Sequence, residues 1–259
     1  MVTLTDSLGN ITLDKTQYYG PFTARSLDNF NVSDDTVSLE LIYAYVEIKQ
    51  CAAKTNHELG YLDDSKAKAI FQACDDILSG MYDQSFVVNK YQGGAGTSTN
   101  MNVNEVIANV ALIYLGHDLH MYENCHPIDD VNMHQSTNDT YPTALKIASI
   151  RLVRELADEL SLLQEAFQRK ETEYANILKL SRTQMMDAVP ILASQMFSAY
   201  ADVTSRDRWR IYKAEERLRY INIGGTAIGT GINAPITYGF KMLARLKQAT
   251  HIGLAEVII

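Results

Sequence analysis

From Thr143 onward the apolar residues fall into a single rhythm. Leu145, Ala148, Leu152, Leu156, Leu160, Leu163 and Phe167 are three or four residues apart, the repeat of one helical face. No Pro or Gly interrupts the chain between Thr143 and Val189. The spacing predicts a helix over Thr143–Lys179, about 55 Å long at about 1.5 Å per residue. A second uninterrupted run, Pro190–Tyr220, opens with Pro where a helix tolerates it, and a third begins near Pro235. A compact globule of this length has a radius of gyration of about 18 Å. Helices that outreach such a body must pack on something else, so the two long helices are expected to lie antiparallel and to bury their stripes against other copies of the chain.

The first 125 residues are more mixed. Asp63 to Ser65 mark a helix start, and Ala69, Ile70, Cys74, Ile77 and Leu78 follow at helical spacing. "MNVNEVIANVALIYL" predicts another helix, with Asn102 as N-cap and Glu105 closing a capping box. Gly9, Gly20 and Pro21 make the first 35 residues read as short strands and loops. The predicted fold is mainly α: a small mixed N-terminal domain, 1–137, then the long helices of an incomplete central helical bundle, 138–259.

Charge narrows the functional classes. Lys and Arg total 23 against 31 Asp and Glu, a formal charge of −8, with no basic stripe; nucleic acid is not the expected partner. Cys51, Cys74 and Cys125 are far apart and form no Cys-x-x-Cys pair, so neither a disulfide framework nor a metal site is expected. The start "MVTLTDSLGN" lacks the basic and apolar regions of a signal peptide. No apolar run reaches 18 residues, so no membrane span is expected. These features predict a cytoplasmic protein.

Three irregular segments carry the candidate chemistry. "QGGAGTSTNMN" sets Gly93, Gly94 and Gly96 before the hydroxyls of Thr97, Ser98 and Thr99. "QSTND" sets Ser136, Thr137 and Asn138 before a helix that Asn138 or Asp139 can cap and whose first turn suits Pro142. "SRTQMMDAVP" sets Thr183 and Gln184 before the predicted Pro190 helix. Hydroxyls and amides at positive helix ends suit a carboxylate or phosphate. Singly, each segment is also an ordinary turn or cap. "GGAGTS" lacks the Lys of a phosphate loop, and His126 beside Pro127 reads as a packing or surface histidine rather than a base.

Taken together, "YYGPFTARSLDNF", "GGAGTSTNMNVNEVIAN", "HPIDDVNM", "QSTNDTYPTALKIA", "SRTQMMDAVP" and "GGTAIGTGINAP" resemble, in order, the signatures of the aspartase/fumarase superfamily. Ala95 and Gln184 favour its aspartate ammonia-lyase branch over class II fumarases, which have Ser and His there. The resemblance implies reversible deamination of L-aspartate to fumarate and ammonia, without a cofactor or metal. It implies that Thr97, Ser136, Thr137, Asn138, Thr183 and Gln184 bind a small dicarboxylate or amino-acid substrate. It also implies a homotetramer, built around a large helical bundle. The family's catalytic Ser, on a Gly-Ser-Ser loop, has no counterpart in these 259 residues, so no catalytic residue is assigned and the chain is expected to be a truncated, inactive form. Ile128 replaces an Asn of the family's secondary anion motif, Phe22 a Gln, and Ser194 and Met196 a Gly and a Glu. A fumarase-type hydratase and a non-catalytic, bundle-forming fragment are the alternative expectations.

Overall fold

The computed structural model describes residues 1–6 and 8–256; the last three residues of the predicted bundle domain lie outside them. The elements run β1 (Val2–Asp6), β2 (Gly9–Leu13), α1 (Pro21–Asn29), α2 (Leu39–Glu58), α3 (Asp64–Leu78), α4 (Thr97–Tyr114), one π turn (Pro127–Val131), α5 (Thr137–Glu173), β3 (Leu178–Thr183), β4 (Met186–Leu192), α6 (Ala193–Leu218), β5 (Tyr220–Ile221), α7 (Tyr238–Thr250) and β6 (Ala255–Glu256). The mainly helical expectation holds, with a small mixed N-terminal region before long helices. Two compact units divide the chain: Met1–Ala148 with Arg219–Ile259, and Ser149–Leu218.

In the first unit, α4 is the central helix. Its side chains from Thr99 to Leu112 are all buried, and α1, α2 and α3 pack on it. Ile42, Tyr45, Ile48, Ile70, Ile77, Ile107 and Leu112 form the fully enclosed core. Burying such side chains contributes roughly 1.5–3 kcal/mol each. Helix α7 packs on α2, where Met242 Sδ accepts from Thr55 Oγ1 at 3.4 Å, and Glu58 pairs with Lys241 and Arg245.

The capping box predicted around Asn102 does not form. Helix α4 begins five residues earlier, at Thr97, so Asn102 and Glu105 lie inside it. Glu105 reaches instead across to the start of α1. Its carboxylate accepts from Gly20 N at 2.9 Å, Phe22 N at 2.9 Å, Thr23 N at 3.1 Å and Thr23 Oγ1 at 2.7 Å. It thus caps a helix about eighty residues away in sequence and turns part of the predicted N-terminal loop into α1. Burial pushes the Glu105 carboxyl above its ordinary pKa, while the four donors favour its charged form.

The second unit is a pair of helices joined by a hairpin. Phe167 meets Tyr200 and Tyr174 stacks on Phe197, each with ring centroids 5.5 Å apart. Arg208 Nη1 donates to Gln164 Oε1 at 3.0 Å, and Arg154 Nη2 to Glu215 Oε1 at 2.9 Å. Partners rise in one helix as they fall in the other, so this part of α5 and α6 run antiparallel, as the pattern predicted.

The helix ends differ from the predicted ones: α5 stops at Glu173 rather than Lys179, and α6 starts at Ala193 rather than Pro190. Between them β3 and β4 pair antiparallel, with Thr183 opposite Met186 and Leu180 opposite Pro190. Pro190 disfavours helical backbone at Val189, and Val189 and Ile191 are β-branched; Pro is tolerated where no sheet partner requires its N–H. "SRTQMMDAVP" is therefore a hairpin and not a helix start.

Candidate functional site

The opening of α5 is fixed by two reciprocal bonds. Ser136 Oγ accepts from Asn138 N at 3.1 Å, and Asp139 Oδ1 accepts from Ser136 N at 3.1 Å. This is a capping box with Asp in the usual Glu position, so Ser136 precedes the helix as its cap, rather than Asn138 or Asp139. Pro142 lacks an N–H, which leaves the Asn138 carbonyl without its helical donor; Asn222 Nδ2 supplies one at 2.9 Å. Asn138 Nδ2 donates to Ala227 O at 2.7 Å, and Thr226 N to Asp139 Oδ2 at 2.9 Å. The segment after β5 is thereby fastened to the start of α5.

Lys49, on α2, lies next to this start and is wholly buried. Its Nζ donates to Asn100 Oδ1 at 2.7 Å, Asn132 Oδ1 at 2.8 Å and Gln135 Oε1 at 2.9 Å. Burial pushes the ammonium down to about 7, against the attraction of the Asp139 carboxylate. Burial in turn raises the Asp139 carboxyl, opposed by bonds from Ser136 and Thr226 and by Lys49. Lys49 and Asp139 thus face each other as buried, oppositely charged groups beside a helix N-terminus.

A cleft of about 380 Å³ opens here. Asn100, Asn132, His134, Ser136, Thr137 and Thr226 are among its lining residues. Thr97 lies instead in an adjoining groove of about 580 Å³ with Ser98, Phe22 and Arg25; Met101 lines both. Among the described residues the hydroxyls of Thr97 and Thr137 have no hydrogen-bond partner. Gly96, at the start of α4, has φ 73, and a β-carbon there would lie 2.0 Å from Tyr141 Cδ2. The backbone can turn into α4 at that point only with glycine.

The structure thus brings Ser136 and Thr137 into one cleft and Thr97 to its border. Asn138 is exposed, and its amide is engaged with Ala227. Thr183 and Gln184 belong to the second unit, at the exposed β3–β4 turn, where Gln184 and Met185 have φ 51 and 64. Lys49 and His134 were not among the predicted residues. A lysine inside the apolar stretch "AYVEIKQCAA" was the available signal for the first. His126 caps the π turn, its Nδ1 accepting from Ile128 N at 3.2 Å and Asp129 N at 3.1 Å. Among the described residues no group of three or more His, Cys, Asp or Glu is placed to hold a metal ion.

Residues 9–257 match a family model described as lyase. An aspartate ammonia-lyase of Helicobacter pylori is 41% identical over 95% of this chain and 53% of its own length. An aspartate ammonia-lyase of Pseudomonas canavaninivorans is 45% identical over 93% and 52%. A class II fumarate hydratase of Helicobacter pylori is 41% identical over 94% and 53%. Among solved structures, fumarate lyase:delta crystallin from Brucella melitensis bound to cobalt superposes with a TM-score of 0.95 at 42% identity, covering 99% of this chain and 56% of that one. The chain spans about half the length of the curated relatives it matches.

Proposed function

Because the chain belongs to the aspartase/fumarase superfamily of lyases, we propose that its 380 Å³ cleft binds a four-carbon dicarboxylate and serves carbon–nitrogen lysis, the reversible deamination of L-aspartate to fumarate and ammonia. The observation that carries this reading is the free Thr137 hydroxyl beside Ser136 at the start of α5, with the buried Lys49 ammonium nearby. Removing a proton beta to the amine builds a second negative charge on the neighbouring carboxylate. Preorganised donors at the start of α5 stabilise that charge as it develops.

In this reading Ser136 and Thr137 hold one carboxylate and Thr97 and Asn138 extend the site, while Thr183 and Gln184 are proposed to come to it from another copy of the chain in a homotetramer. These groups bind and polarise. None of the hydroxyls of Thr97, Ser136, Thr137 or Thr183 is hydrogen-bonded to a His or Lys among the described residues, so none has a base to activate it. The base that accepts the C3 proton is assigned to none of them, and the 259-residue chain alone is expected to be inactive. A homotetramer that covers the α5 and α6 stripes completes the proposal, for a protein working in the cytoplasm. Among the described residues no helix is long and apolar enough to cross a membrane.

The second reading is a fumarase-type hydratase acting on malate, favoured by the class II fumarate hydratase relative at 41% identity. The two separate by assay. The intact encoded protein should form fumarate, followed by its ultraviolet absorbance, from L-aspartate and not from L-malate. Comparable turnover of malate overturns the aspartase assignment, and failure to bind either acid overturns the dicarboxylate site itself.

A further inference from the structure

His134 stands on the loop that leads into α5 and lines the cleft beside Ser136 and Thr137. Its backbone is left-handed, φ 60, a conformation that a β-carbon disfavours. The imidazole is held on several sides. Its Nδ1 lies 2.9 Å from Asn56 Oδ1. Asn56 Nδ2 donates to Met133 O at 3.1 Å, which orients the amide and leaves its oxygen toward the ring. An amide oxygen only accepts, so Nδ1 carries the proton. Tyr61 and Tyr238 flank the ring, with centroids at 4.7 and 5.6 Å. Burial lowers the imidazole pKa from its ordinary value and so favours the neutral ring. Nε2 is then a lone pair with no partner among the described residues.

This acceptor differs from the start of α5 beside it, where hydroxyls and a helix N-terminus suit negative charge. A carboxylate placed at Nε2 would meet lone pair with lone pair. An ammonium group would meet its complement. We propose that His134 is a specificity-determining residue of the cleft, its Nε2 accepting a hydrogen bond from the ammonium of an amino dicarboxylate whose carboxylate is held at the start of α5. The proposal rests on the dicarboxylate reading above.

Calorimetric titration of the intact encoded protein with L-aspartate and with succinate, which has the same carboxylates and no amine, tests it. The variants are His134→Gly, which accepts the left-handed backbone, and His134→Asn, which tolerates it. His134→Gly should weaken L-aspartate about tenfold or more, the loss expected for a hydrogen bond to a charged group, and change succinate less than about twofold. In ¹⁵N spectra of the wild type, the ring should be the neutral Nδ1–H form. Its Nε2 resonance should move with L-aspartate and stay fixed with succinate. Equal losses for both acids, or an Nε2 resonance indifferent to L-aspartate, overturn the proposal and leave the dicarboxylate site standing. Wild-type protein that binds neither acid overturns both.

Discussion

The two units treat the boundary between polar and apolar in opposite ways. In the unit built from Met1–Ala148 and Arg219–Ile259, charged and amide side chains are inside: Lys49, Glu105, Asn100, Asn104 and Asp139 are all buried. In Ser149–Leu218, large apolar side chains remain outside: Trp209 is 64% exposed and Leu156 50%, with Leu152, Leu163, Val203 and Tyr212 also in water. In the first arrangement the buried charges are hydrogen-bonded: Lys49 to three amide oxygens, Glu105 to the start of α1 and Asp139 to Ser136 and Thr226. The second leaves area wet that would contribute roughly 25 cal/mol per Å² if covered. A buried polar network and an uncovered apolar stripe are both costly, and each marks where function or assembly is to be sought.

Glu105→Ala gives the sharpest contrast. It leaves four donors at the start of α1 without an acceptor in a buried place, and the expected loss is about 3–5 kcal/mol of unfolding free energy. Urea denaturation reads it directly. A loss below about 1 kcal/mol would show that water replaces the carboxylate and that the network does not hold α1.

Lys49→Met comes next. Three amide oxygens lose their donor, while the cost of enclosing an ammonium is removed, and the net loss expected is about 2–3 kcal/mol near neutral pH. The pH dependence carries a definite sign. The folded pKa of about 7 lies below the ordinary lysine value of 10.5, so between these pH values the unfolded chain binds more protons. Stability conferred by the wild-type residue therefore rises with pH across that window. The difference between wild type and Lys49→Met should widen from pH 7 to pH 10; a difference that narrows contradicts the burial argument.

Substituting both Leu152 and Leu156 by Lys probes the other unit. Both side chains are exposed in the single chain, so unfolding free energy should move by no more than about 0.5 kcal/mol each. Light scattering should show smaller assemblies than the wild type forms. Unchanged assembly size would remove the stripe from the proposed interface.

The smallest effect is expected at the β3–β4 hairpin. Arg182 Nε and Asp187 Oδ1 pair at 3.2 Å with both side chains exposed. Arg182→Ala should cost about 0–0.5 kcal/mol, diminishing with salt, as melting curves at two ionic strengths would record.

Much of the helical fold was legible because an amphipathic helix writes its period into the chain. The antiparallel pairing of α5 and α6 followed from helix length and apolar spacing alone. The hairpin between them was not legible. "LKLSRTQMMDAVPIL" has no Gly, and its turn uses Gln184 and Met185 at positive φ instead of the Asn-Gly that usually announces such a turn. The capping motif around Ser136 was visible in outline, since hydroxyl, amide and Asp fall within four residues. Which of them caps was decided by Pro142 and by the docking of Asn222 and Thr226.

The sequence by itself determined the helical class, the acidic charge, the set of hydroxyl-bearing segments and, through their order, the superfamily. All of these are local, because propensity and periodicity act over one or two turns. Tertiary structure alone decided that Glu105 serves α1 rather than α4, that Lys49 lies beside the α5 start, and that the His134 ring is held by Asn56 at the edge of the cleft. Those outcomes depend on contacts 78 to 86 residues apart. Desolvation, which sets the protonation of buried groups, exists only once those distant segments have closed over them.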